Sequence, residues 1–118
     1  MHRLHDAEIV GLALTPGADD FANELVLTVR AVDGARRLLR FRGAADWALS
    51  PFGTQNVVLN FYAYDRFTLT APLIEFYAVP EPWAAAVRSG EYRLYALTAS
   101  VGMEGLVLAQ GLSIDEDA

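Results

Sequence analysis

The stretch Glu24-Leu25-Val26-Leu27-Thr28-Val29-Arg30-Ala31-Val32-Asp33-Gly34-Ala35-Arg36-Arg37-Leu38-Leu39-Arg40-Phe41-Arg42 decides the fold class of this chain. Leu25, Leu27, Val29 and Ala31 alternate with Glu24, Val26, Thr28 and Arg30. That period of two belongs to a half-buried strand, whose successive side chains point to opposite faces. Asp33-Gly34 is a dipeptide favoured in two-residue type I′ turns. Leu39 and Phe41 then alternate with Leu38, Arg40 and Arg42. The spacing predicts a hairpin from Glu24 to Arg42.

The same pattern extends to both sides. Ala7 to Leu14 reads as a strand with apolar residues on both faces, hence central or covered, and Thr15 to Asp20 has the turn chemistry of a loop. Asp46 to Leu49 reads as a short edge strand, stopped by Ser50-Pro51-Phe52-Gly53. Val57, Leu59, Phe61 and Ala63 alternate with Asn56, Val58, Asn60, Tyr62 and Tyr64. A turn at Asp65-Arg66 leads to Phe67-Thr68-Leu69-Thr70, where Pro72 interrupts the run. Leu73 to Val79 fits a strand or an extended connection. One short helix is predicted near residues 81–89, from the prolines at Pro80 and Pro82, the early Glu81 and the closing Gly90. Tyr92 to Ala99 and Leu106 to Ile114 are two further strands about a turn at Gly102 to Gly105, and residues 115–118 form an acidic tail. The expected fold is mostly β: an antiparallel β-sandwich or partly open barrel of about 7–8 strands in one domain, residues 1–118. One of its layers is expected to be the deeper, because the strands differ in how far both faces are apolar.

Composition limits the chemistry. With 53% hydrophobic and 20% charged residues the chain can close a core without disulfides. It has no cysteine, so thiolate metal sites and cysteine nucleophiles are excluded. The net charge of −6 repels nucleic-acid phosphates and attracts basic partners. The N-terminal residues carry no apolar leader, and no apolar run approaches the ~20 residues of a membrane-spanning helix. The expected compartment is the cytoplasm, with neither nucleic acid nor membrane as partner.

Few residues have the spacing of a site. His2, His5 and Asp6 form H-x-x-H-D, but on a strand positions i and i+3 face opposite ways. No metal is expected, and His5 and Asp6 are the weak candidates; they also suit entry into the first strand. No serine lies in a nucleophile elbow, and no phosphate-cradling loop is present. No cofactor and no catalytic residue is assigned. All nine basic residues are arginine, which fits either a coding bias or recognition of anions by guanidinium forks. Arg36, Arg40 and Arg42 share a strand face with Arg30 across the hairpin: an anion-binding ladder, or a solvated face paired with Glu24 and other acids. Asn56, Asn60, Tyr62 and Tyr64 share one face of their strand and suit a binding surface, or a face covered by the helix or a second protomer.

Several short motifs, taken in order, carry a resemblance. They are Leu4-His5-Asp6-Ala7, Asp33-Gly34 before Leu39-Arg40-Phe41-Arg42-Gly43, Gln55-Asn56-Val57-Val58, and Ala99-Ser100-Val101-Gly102. The pattern resembles small β-rich bacterial proteins, mostly uncharacterised, some of which look like immunity proteins of polymorphic toxin systems. That resemblance implies a protein that neutralises a cognate toxin by occlusion, with no catalytic residue to carry over. The expected function is therefore protein binding, with a basic toxin as partner and with the Asn56-Asn60-Tyr62-Tyr64 face and Asp19-Asp20 as contacts. The alternatives are a small-molecule binder with an internal pocket lined by Phe61, Phe67, Phe76 or Tyr95, a self-associating homodimer, and an enzyme built on His5, Asp6 and a distant acid.

Overall fold

The hairpin forms as its alternation requires. In the computed structural model, which describes residues 6–16, 23–50 and 56–116, β2 (Asn23–Arg30) pairs antiparallel with β3 (Arg36–Arg42). Leu25 faces Phe41 and Leu27 faces Leu39, and all four are buried. The turn is longer than the type I′ reading. Ala31 N–H donates to the Ala35 carbonyl (2.8 Å) and Gly34 N–H to the Ala31 carbonyl (2.9 Å). Only Gly34 takes positive φ, at 86°, whereas a type I′ turn needs it at both central residues. The loop is thus Val32-Asp33-Gly34 with a left-handed glycine, and Asp33 Oδ1 steadies it by accepting from Ala35 N–H (2.9 Å).

Among the described residues there are eight strands: β1 (Glu8–Pro16), β2, β3, β4 (Asp46–Ser50), β5 (Val57–Tyr64), β6 (Arg93–Val101), β7 (Glu104–Ala109) and β8 (Gly111–Glu116). They form one antiparallel sheet in the order β4-β7-β6-β5-β1-β2-β3-β8. β3 lies near one end of that order and β4 at the other, yet only residues 43–45 connect them. β7 and β8 are equally far apart in the sheet and are joined by Gln110 alone. Connections this short force the two ends together. Gln110 N–H donates to the Arg42 carbonyl (2.9 Å), and Ala45 N–H to the Leu108 carbonyl (2.9 Å).

The sheet therefore folds over itself as a sandwich or open barrel. Ile9, Leu25, Leu27, Val29, Leu39 and Phe41 of one half meet Val58, Tyr95, Leu97 and Val107 of the other in one buried cluster. The halves join at a narrow seam, where Glu8 pairs with Val57. Ile9 N–H donates there to the Asn56 carbonyl (2.7 Å) and Val58 N–H to the Ala7 carbonyl (2.9 Å).

Several sequence expectations change. Among the described residues there are two helices, not one. The run left open between strand and connection is α1 (Ala71–Tyr77), and α2 (Glu81–Arg88) lies where the helix was predicted. Pro72 does not break a strand; it sits in the first helical turn, where its missing N–H costs nothing. α1 ends on Ala78 in the left-handed region (φ 52°), with Val79 N–H returning to the Ile74 carbonyl (2.9 Å). The single strand predicted from Leu106 to Ile114 is two strands, because the chain changes ends at Gln110. Phe67 to Thr70 is turn and helix lead-in. The expected acidic tail begins inside β8, where Leu38 pairs with Asp115 and Arg37 with Glu116.

α2 explains why β6 and β7 are apolar on both faces. Tyr95, Leu97, Val107 and Ala109 point into the sandwich. Leu94, Ala96, Leu106 and Leu108 point outward and are buried by Trp83, Ala84 and Val87 of α2 with Val79. At roughly 25 cal/mol per Å² of apolar surface, this covering holds a two-turn helix that would not persist alone.

The link from β5 to α1 is a tight Asp turn. Asp65 Oδ1 accepts from Phe67 N–H (2.8 Å), Thr68 N–H (3.0 Å) and the Thr68 hydroxyl (3.1 Å). The Phe67 amide, followed by the Thr68 donors and the Arg93 charge, holds this carboxyl below its ordinary value of 3.8 against a smaller desolvation effect. A depressed folded-state pKa contributes stability above the unfolded value, which is lost as pH falls through the folded one. Asp65→Asn keeps the acceptor oxygen but cannot titrate. Its stability is therefore expected to fall less steeply than the parent's below about pH 4, the unfolded carboxylate range. Urea midpoints measured from pH 5 to pH 2 check this, and parallel curves would remove Asp65 from the acid response.

Candidate binding surface

The exposed face of β5 is set by two register shifts, between Val57 and Val58 and between Val58 and Asn60. A β-bulge adds a residue to one strand and changes which face the following residues occupy. Val58 is buried in the core, whereas Asn60, two residues on, is exposed. Beyond the shift, Asn60, Tyr62 and Tyr64 point outward, opposite Thr98, Ala96 and Leu94. Phe61 points inward to Phe41 and Tyr95.

The structure keeps three of the four β5 residues together and separates the fourth. Asn56 is 2% exposed, before the shift, and its Oδ1 accepts from Met103 N–H at 3.0 Å. It ties the β5 entrance to the β6–β7 turn and presents nothing to a partner. Simple alternation places Asn56 with Tyr62 only if no bulge intervenes.

α1 extends this face in a way the alternation of β5 cannot reveal. The Tyr64 and Tyr77 hydroxyls lie 3.0 Å apart. Ring centroids follow one another at 6.2 Å from Tyr62 to Tyr64, 5.8 Å from Tyr64 to Tyr77 and 5.0 Å from Tyr77 to Phe76. The middle pair is partly buried, while Tyr62 is 45% and Phe76 76% exposed. Burial, and then the hydrogen bond to Tyr64, raise the Tyr77 phenol well above its ordinary value. The Tyr77 phenol is therefore neutral near pH 7. Leu73, Ile74 and Tyr77 have helical spacing and Pro72 suits a first turn, but seven residues carry too little of that period to separate helix from strand.

The arginines form an interleaved charge ladder. Arg40 lies 3.5 Å from Glu24 and 3.0 Å from Asp115, and Arg30 pairs with Glu8. Arg36 stands opposite Arg30 at the hairpin end, and Arg42 stands opposite Glu24. Two carboxylates share the Arg40 charge, which supports the solvated face over an anion ladder. Each exposed pair contributes only about 0–1 kcal/mol.

Asp6 is exposed, and its N–H donates to the Val58 carbonyl (2.8 Å) as the chain enters β1. His5, Asp19 and Asp20 lie outside the described residues. Among the described residues no three histidine or acidic side chains group as metal ligands, and no helix is long and apolar enough to cross a membrane. The four rings expected around an internal pocket do not meet. Phe61 and Tyr95 pack in the core with Phe41, whereas Phe67 and Phe76 are on the surface.

Compared with known proteins, the chain matches no family model, no curated protein and no solved structure. The surface must be read from its own chemistry.

Proposed function

We propose that this domain binds a protein partner, and that the row Tyr62-Tyr64-Tyr77-Phe76 is the centre of the contact. The observation that carries this reading is the row itself: four adjoining rings, exposed at both ends and held in place by the hydroxyl pair in the middle. Tyrosine offers contact area and a hydrogen bond with few rotors to immobilise, and aromatic anchors dominate measured interface energies. Rings fixed on a strand and a helix lose little further freedom on binding.

The net charge of −6 favours a basic partner and speeds its encounter. Together with the resemblance of the short motifs, this supports an immunity protein that occludes a basic toxin in the bacterial cytoplasm. Self-association through the same rings is the competing use of the surface.

Calorimetry against the product of the adjacent gene tests the proposal. Tyr62→Ala with Phe76→Ala is expected to weaken binding by at least about 100-fold, since hot-spot truncations typically cost 2 kcal/mol or more. Thermal stability should stay near the parent's, because both rings are exposed. Unchanged affinity in the double variant would remove the row from the interface. A concentration-dependent dimer abolished by the same changes would assign the row to self-association.

A further inference from the structure

We propose that the pocket at the end of the β5–β6 pair is an oxyanion site for a small carboxylate or phosphate compound. This site is separate from the aromatic row and does not rest on the binding proposal above.

The pocket follows from the topology. Tyr64 and Leu94 are the last registered pair of β5 and β6, so Asp65 and Arg93 come next to each other just beyond it. The Asp65 turn carries Arg66 and Phe67, and the chain leaving α2 supplies Ser89, Gly90 and Tyr92. These residues enclose an open pocket of about 300 Å³. Ligand pockets commonly run from ~300 to ~1,000 Å³, so this one suits a compound of few heavy atoms rather than a nucleotide.

Arg30, Arg40 and Arg88 each hold a carboxylate. Among the described residues Arg66 has neither an ion pair nor a hydrogen bond; its guanidinium carbon lies 4.7 Å from the Phe67 ring centroid. Arg93 donates to the Gln110 carbonyl at 3.4 Å and to the Tyr95 phenol oxygen, and a guanidinium has five N–H donors, so it keeps donors to spare. The one acid of the lining, Asp65, has Oδ1 committed to three donors of its own turn. Arg93 acts electrostatically on Asp65, which leaves the Arg66 charge as the excess in this lining, in a chain with 15 acidic and 9 basic residues.

The local backbone makes room for the free guanidinium. Gly90 has φ +85°, and a Cβ there would stand 3.1 Å from Arg66 Nη1. The Phe67 ring lies against the guanidinium, whose planar fork recognises carboxylate or phosphate oxygens in pairs. Tyr92 and Phe67 complete the lining.

Titration of the full chain with inorganic phosphate and, separately, with succinate tests the site, read by backbone amide shifts at residues 65–67 and 89–93. At least one anion is expected to give saturable shifts that weaken as salt rises, and the stronger of the two identifies the headgroup chemistry. Arg66→Gln and Arg93→Gln should each weaken binding at least about tenfold, which corresponds to the loss of one charge-assisted bond. Arg88→Gln, outside the pocket, should bind as the parent does. Each variant should keep the parent's cooperative thermal unfolding well above the titration temperature, so a loss of binding is not a loss of fold. Absence of saturable shifts with both anions, or parent-like binding by Arg66→Gln, overturns the proposal.

Discussion

Gly105→Ala is expected to lose at least about 3 kcal/mol of stability, the size of effect that follows from a steric conflict with backbone rather than from a surface change. A Cβ at Gly105 would lie 1.8 Å from the Ala48 carbonyl oxygen and 2.9 Å from its carbon. Neither atom can rotate away, because β4 is paired with β7 from Asp46–Leu108 to Ser50–Glu104. The φ of +147° adds backbone strain for any residue with a Cβ. Gly34→Ala is the control. Its φ is +86°, but nothing lies within 4 Å of the new atom, so only the strain remains, about 1–2 kcal/mol. Urea denaturation of both variants separates clash from strain. Hydrogen exchange should show Gly105→Ala losing protection first along β4. A Gly105→Ala protein within 1 kcal/mol of the parent by the same urea measurement would mean that β4 does not need this close approach.

Phe41→Ala should cost about 3–5 kcal/mol, the range for removing a large buried ring, against a total stability of roughly 5–15 kcal/mol for a domain. Phe41 is 1% exposed. It comes from β3 in one half of the folded sheet and meets two rings of the other half. Its centroid lies 5.2 Å from Tyr95, edge to face, and 6.2 Å from Phe61. A void here opens between the layers, and closing it would require both halves to shift. Phe41→Leu fills part of the space and should cost less than Phe41→Ala. Comparing the two by urea unfolding shows whether volume or ring geometry matters more. Equal losses would mean that the edge-to-face contact, not the filled volume, holds the layers.

Legibility in the sequence followed periodicity. The Glu24–Arg42 hairpin was readable because alternation, turn residues and apolar content agree, and the structure pairs those strands along their length. β5 was readable as a strand but only partly as a surface. Two register shifts break its period, so Asn56 goes to the interior while Asn60, Tyr62 and Tyr64 stay outward. α1 was the element least readable. Its residues Ile74, Phe76 and Tyr77 favour strands as readily as helices, and a seven-residue segment shows barely two turns of period. Losing α1 meant losing Tyr77 and Phe76, half of the aromatic row.

By itself the sequence determined that this is a mostly β domain with an antiparallel hairpin, an acidic surface and no thiol chemistry. These follow from local alternation and composition, which need no knowledge of what lies across the sheet. The tertiary structure alone decided the rest. Gln110 divides one apolar run into β7 and β8 because the sheet closes over itself there. Tyr62 joins Phe76 in one surface because α1 docks beside β5, and Arg66 meets Arg93 because β5 and β6 end together. Contacts between residues distant in the chain depend on packing, and period along the chain carries no record of which strand ends are neighbours.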